Sequence, residues 1–158
     1  MQHQREILDA IRRILRSVRE SSRAAETDLG ISGAQLLVLQ FLKSGTPLSI
    51  NELADKTQTH QSSVSSVVTR LADAELVWRK SSAEDGRRVE VGLTPAGGRL
   101  LSKIKFQLAQ EKLFAAISGL TLNNQKKLAE LLGEVVESAG FGEEPASLFF
   151  EEEKERSK

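Results

Sequence analysis

The residue types that most often carry catalysis or hold a metal are scarce in this sequence. Among its 158 residues there are two histidines, His3 and His60, and no cysteine. Ser-His-Asp or Cys-His chemistry would have to run through one of those two imidazoles, and disulfides, thiolate metal sites and thiol redox sensing are excluded. Two groups of acids, Glu84 with Asp85 and Glu151 to Glu153, have no nucleophile, metal cluster or glycine-rich phosphate loop beside them. They read as solvated charge, and neither an enzyme nor a cofactor is expected. The chemistry that remains is contact chemistry. Gln61, Ser62, Ser65, Ser66, Thr69 and Arg70 recur at helical spacing, and Arg79, Lys80, Arg87 and Arg88 gather positive charge around Glu84 and Asp85. Small hydroxyls allow a helix to lie deep in a DNA major groove, while Gln61 and Arg70 can reach base edges or phosphates. An arginine such as Arg87, carried at a hairpin tip, can enter a minor groove. Asp85 suits a different task there, bonding the turn's own amides or orienting Arg87.

These residues must be positioned by helices and one hairpin. Gln61 to Ala74 form a helix whose inner side is Val64, Val67, Val68 and Leu71, which leaves Ser62, Ser66, Thr69 and Asp73 outside. His60 stands at its N-cap, as a turn residue or a phosphate contact. Before it, Ser49 and Glu52 have capping-box spacing and open a short helix with Ile50, Leu53 and Ala54 inward. Two short helices joined by a polar turn make a helix-turn-helix. After it, Val77–Lys80 and Arg88–Leu93 alternate as strands do about the turn Glu84-Asp85-Gly86-Arg87. A hairpin in that place is a wing.

Longer helices flank this module. Leu8, Ile11, Leu15, Val18 and Ala25 stripe residues 5 to 26, with Arg12, Arg16, Arg19 and Arg23 on another, solvated face. Gly30 closes that helix, and Ser32 with Gln35 caps a second one carrying Leu36, Leu39, Phe41 and Leu42, which stops before Ser44-Gly45-Thr46-Pro47. Thr94-Pro95 starts a helix expected to run unbroken to Ser118, with Leu100, Leu101, Ile104, Leu108, Leu113 and Ile117 along it. Gly119 ends it, Thr121 caps a final helix to about residue 139, and Leu128, Leu131, Leu132, Val135, Val136 and Ala139 are its stripe.

The expected fold is mainly α (α+β): a winged helix-turn-helix with a two-stranded wing, and a helical dimerisation region. The lobe is assigned to residues 30–98, the dimerisation region to 1–29 with 99–142, and an acidic tail to 143–158. The terminal stripes exceed what the small lobe can cover, so pairing with a second copy is expected, and a symmetric dimer would place two recognition helices on a pseudo-palindrome. Within the tail, Leu148-Phe149-Phe150 is an apolar exception that either docks or stays disordered.

Together these residues resemble the multiple antibiotic resistance regulator (MarR) family of bacterial winged-helix repressors. The resemblance rests on Asp85-x-Arg87 followed by Leu93-Thr94, with Ser32-x-x-Gln35 leading to Leu39, Glu52-Leu53-Ala54, Val64, Arg70-Leu71 and Leu76-Val77-x-Arg79 around it, and it spans residues 5 to 139. It implies a homodimer with interlocked terminal helices that binds a palindromic operator and is released or repositioned by a small phenolic or anionic effector of unknown identity. It places Gln61, Ser62, Ser65, Ser66, Thr69 and Arg70 in the major groove and Asp85 and Arg87 at the wing. His60 in place of a small cap, the serine-rich helix and the long acidic tail depart from the family pattern. The lack of cysteine sets aside peroxide sensing, and the two histidines argue against zinc response.

Charge sharpens this picture. Equal numbers of basic and acidic groups, 22 each, cancel over the chain. Residues 143–158 hold six acidic and three basic side chains, and residues 45–98 hold seven and six, so attraction to DNA must be concentrated at one helix and one wing. With no apolar run of membrane length and no signal segment, a cytoplasmic protein without membrane contact is expected. A winged-helix protein-interaction module with little DNA binding is the alternative of another class.

Overall fold

The computed structural model describes residues 1–104 and 108–142; the acidic tail and Leu148-Phe149-Phe150 lie outside the described residues. The chain divides into two compact units. Of the described residues, 1–18 and 108–142 fall in one, and 19–104 in the other.

The unit of residues 19–104 is the winged lobe. Helix α1, Gln2–Leu29, contains neither proline nor glycine and ends at Gly30, whose φ of +68° suits a residue without a side chain. Helix α2, Gly33–Phe41, begins with a complete capping box: the Ser32 hydroxyl accepts the Gln35 N–H at 3.2 Å, and the Gln35 side chain accepts the Ser32 N–H at 2.9 Å. Helices α3, Ile50–Thr57, and α4, Gln61–Asp73, make the helix-turn-helix, and α3 leaves through Gln58 in the left-handed region. Leu36, Leu39, Leu42, Leu53, Val64, Val67, Val68 and Leu71 are fully buried, and α2, α3 and α4 pack on one another. Each such side chain contributes about 1.5–3 kcal/mol by leaving water, so this cluster is what holds α4 at a fixed pitch.

The sheet has three antiparallel strands in the order β1–β3–β2: Leu48–Ser49, Val89–Leu93 and Val77–Ser81. The hairpin register pairs Trp78 with Gly92 and Arg79 with Val91. The indole of Trp78 lies where a Cβ on Gly92 would stand, so that glycine makes room for the ring. Strand β1 is an addition to the expected two-stranded wing. It is only two residues long, too short for alternation to reveal, and it pairs Leu48 with Val91 and Ser49 with Glu90.

Thr94 caps helix α5, Pro95–Ser102, accepting the Gly97 N–H at 3.1 Å. Here the expected single helix to Ser118 is corrected. Lys103 and Ile104 donate to Leu100 and Leu101, three residues back, at 3.1 and 3.2 Å, which tightens and ends the helix. Helical backbone resumes as α6, Ala109–Ser118.

In the other unit, α6 is followed by α7, Leu122–Ser138, capped by the Thr121 hydroxyl accepting the Asn124 N–H at 3.3 Å. No residue of α6 or α7 is buried, although Phe114, Leu131, Leu132, Val135 and Val136 are all exposed. Their apolar stripes stand without cover from the described residues. Among the described residues no helix is long and apolar enough to cross a membrane, and no group of side chains could hold a metal.

Candidate nucleic-acid interface

The face of α4 is set by which of its hydroxyls turn inward. Ser62, Ser66 and Thr69 are exposed, as is Gln61 at the first turn, and Ser65 and Arg70 are half-buried along the edge. Ser63 belongs to the opposite side: it is buried among the valines, and its Oγ has no partner among the described residues. The outer face is thus small, polar and free of acids until Asp73. His60 has the extended backbone of an N-cap, with φ −69° and ψ 143°, yet its ring makes no capping bond. The first turn of α4 is therefore left without a side-chain cap behind an exposed imidazole, a place that favours an anion.

The wing is attached to this helix. Arg79, on β2, donates from Nη1 to Thr69 Oγ1 at 3.3 Å, and Thr69 in turn donates to the Ser65 carbonyl at 2.9 Å. One of the cationic strand residues is thereby held against the exposed edge of α4. Lys80 lies over the Trp78 ring at 5.2 Å. At the tip, Asp85 Oδ1 accepts the Arg87 N–H at 3.0 Å and the Asp85 carbonyl accepts the Arg88 N–H at 2.9 Å. The carboxylate is spent on the turn, as an Asx-type bond. Arg87 itself is exposed at the tip.

Arg88 is occupied differently. Its Nη2 donates to Glu52 Oε2 at 2.9 Å, and the same oxygen accepts the Ser49 N–H at 2.7 Å and the Ser49 hydroxyl at 2.8 Å. The two Ser49 bonds, joined by the attraction of Arg88, hold the Glu52 carboxyl below the ordinary glutamate range against the opposing effect of partial burial. The cap of α3 and the base of the wing are therefore one cluster. The spacing of Ser49 and Glu52 announces the capping box, but no local signal announces a partner 36 residues away.

The helix-turn-helix, the first wing strand and the wing tip also fall inside a match to known sequences: a family model described as the MarR family covers residues 29–88. The HTH-type transcriptional repressor MdtR of Bacillus subtilis is 30% identical over 114 residues, covering 70% of this chain and 70% of that protein. This chain belongs to the MarR family. Solved structures agree on the fold. The S. aureus MepR–DNA complex superposes with a TM-score of 0.58 at 21% identity, over 85% of this chain and 96% of that one. Bordetella bronchiseptica BpsR, in a structure concerned with regulation of its DNA binding by 6-hydroxynicotinic acid, gives 0.53 at 22% identity, over 85% and 98%. In this MarR-family lobe, then, Gln61, Ser62, Ser66 and Thr69 share one exposed helix face, Arg79 borders it, Asp85 and Arg87 form the wing tip, and Arg88 ties the wing to α3.

Proposed function

We propose that this chain is a DNA-binding transcriptional regulator that represses genes by occupying a pseudo-palindromic operator as a homodimer. The observation that carries the reading is the acid-free hydroxyl face of α4 with Arg79 of the wing bonded to its Thr69. In this reading α4 enters the major groove, with Gln61, Ser62, Ser65, Ser66 and Thr69 against bases and phosphates, Arg70 at the edge and His60 toward a phosphate. Arg79 and Arg87 serve the backbone and the adjacent minor groove, and Asp85 shapes the tip. The lobe of residues 30–98 reads DNA, and residues 1–29 with 99–142 join the two copies. The repressor name of the Bacillus subtilis relative and the DNA-bound MepR structure support this assignment.

A small-molecule effector belongs to the same proposal, supported by the regulation of BpsR by 6-hydroxynicotinic acid. A phenolic or anionic compound that binds one lobe spacing better than the operator-bound spacing weakens DNA binding by the same factor that DNA weakens its own binding. A regulator of this kind needs no cofactor and acts in the cytoplasm. Selection of genomic DNA fragments by the purified chain tests the core of the reading. Enrichment of an inverted repeat with half-sites about one helical turn apart is expected; recovery of no common sequence overturns it in favour of a protein-interaction module.

A further inference from the structure

The far end of the recognition helix is held from outside the helix. Beyond the last turn of α4, the Glu75 N–H donates to the Ala72 carbonyl at 2.9 Å and the Leu76 N–H to the Leu71 carbonyl at 2.9 Å, the paired bonds of a Schellman stop. Glu75 takes the left-handed position of that stop, with φ +57°, where glycine is the usual occupant. The first turn of α5 closes on it at three points. Thr94 Oγ1 donates to the Glu75 carbonyl at 2.6 Å, the Thr94 N–H donates to the Leu76 carbonyl at 3.2 Å, and Gly97 lies so close to that second carbonyl that a Cβ there would overlap it. Because the Thr94 hydroxyl also accepts the Gly97 N–H, its single proton is committed to Glu75 and its acceptor side to the cap of α5. One hydroxyl thus caps one helix and latches the end of another, 19 residues away. All of these residues belong to the winged lobe.

We infer that Thr94 is a positioning residue for DNA reading: its hydroxyl fixes the C-terminal end of α4 to the N-terminal end of α5, and it acts through α4 rather than by contact with DNA. The buried valines and Leu71 hold α4 by its inner side, but apolar contact is not directional. Hydrogen bonds to the Glu75 and Leu76 carbonyls are directional, so they set how far the helix slides along its axis and how it is turned about it. Base edges are read only in register, whereas phosphates are met by charge at almost any register. Loss of the latch therefore costs discrimination between sequences more than affinity for DNA as such. The inference rests on the operator-binding reading and adds to it a residue outside the helix-turn-helix and the wing.

Three full-length variants test it. Thr94→Ser keeps donor and acceptor, and Thr94→Asp keeps the acceptor that caps α5 but has no proton for Glu75. Thr94→Asp/Glu75→Gly keeps the net charge of the natural chain and puts glycine in the left-handed position, which offsets lost stability; it carries the comparison if Thr94→Asp alone does not fold. Amide exchange needs no DNA. In Thr94→Asp the Leu76 amide is expected to exchange about ten-fold faster while the Gly97 amide is unchanged, and Thr94→Ser is expected to match the natural chain. The selected operator and a random duplex of equal length are then compared at one salt concentration. Both Asp variants are expected to lose about ten-fold in the ratio of operator to random affinity, and Thr94→Ser to retain it. A hydroxyl that only stabilises the fold would let the double variant recover the ratio together with its melting temperature, and an added charge alone would weaken both duplexes equally. Either result overturns the inference, as does unchanged exchange at Leu76. If selection recovers no operator, the operator-binding reading fails by itself, and exchange at Leu76 still decides whether Thr94 holds the end of α4.

Discussion

Arg87 and Arg88 are neighbours with the same side chain and opposite fates. Arg88 is folded back on the Glu52 carboxylate, while Arg87 stays exposed at a tip that Asp85 has already shaped. Arg87→Ala should therefore leave thermal stability unchanged and lower operator affinity by about 1–3 kcal/mol, with the salt slope reduced by about one ion. A titration of the operator at several salt concentrations checks both, and an unchanged slope would remove Arg87 from the interface. Arg88→Ala should instead act on stability. The Glu52 cluster also has a pH signature. Its carboxyl is held below the ordinary value of 4.5 in the fold, so its contribution is complete above that value and is lost as pH falls through the depressed one. The stability gap between the natural chain and Glu52→Gln should hold constant from pH 7 to pH 5 and close in stronger acid. A gap that widens on acidification would mean that the carboxylate is not what the cluster stabilises.

At the scale of elements, helix caps decide where the site begins. Ser32, Ser49, Thr94 and Thr121 each accept a backbone N–H from the third helical residue, but His60, at the head of the recognition helix, does not. His60→Ser restores the missing bond in a backbone already extended for it, and should raise stability by about 0.5–1 kcal/mol in chemical denaturation. If the imidazole holds a phosphate, the same variant weakens DNA binding, so a stabilised protein with undiminished affinity would mark His60 as a turn residue only. These caps were readable because a capping box is local: side chain and partner lie three residues apart. The same locality made α4, its buried valines and the Asp-Gly hairpin legible. Other features were closed to the sequence for the converse reason. Strand β1 consists of Leu48 and Ser49 and exists through its pairing with β3. The end of α5 carries no proline or glycine, only hydrogen bonds that shorten by one residue. Ser63 sits among serines that face outward, and Arg88 finds Glu52 across the lobe.

At the scale of the whole molecule, the described residues leave apolar surface unbalanced. In the unit formed by residues 1–18 and 108–142, Leu131, Leu132, Val135 and Val136 on α7 are 43–53% exposed and Phe114 on α6 is 74% exposed. An amphipathic helix keeps such a stripe only when something buries it, and a self-complementary surface on a second copy is the economical cover. A stable pairing removes about 1,200–2,000 Å² from water, and its apolar centre should tolerate no charge. Leu131→Glu with Val135→Glu places two carboxylates one turn apart in that centre. Sedimentation should then report half the mass of the natural chain, while near-ultraviolet dichroism of Trp78, which packs inside the winged lobe against Gly92, stays unchanged. The separated lobes should still touch DNA but lose the inverted repeat, since two recognition helices read a palindrome only when one rigid frame holds them about 34–36 Å apart. A natural chain that sediments as a monomer at micromolar concentration would refute the dimer outright. A double variant that remains dimeric would move the interface away from α7, leaving α1 as the surface to charge next.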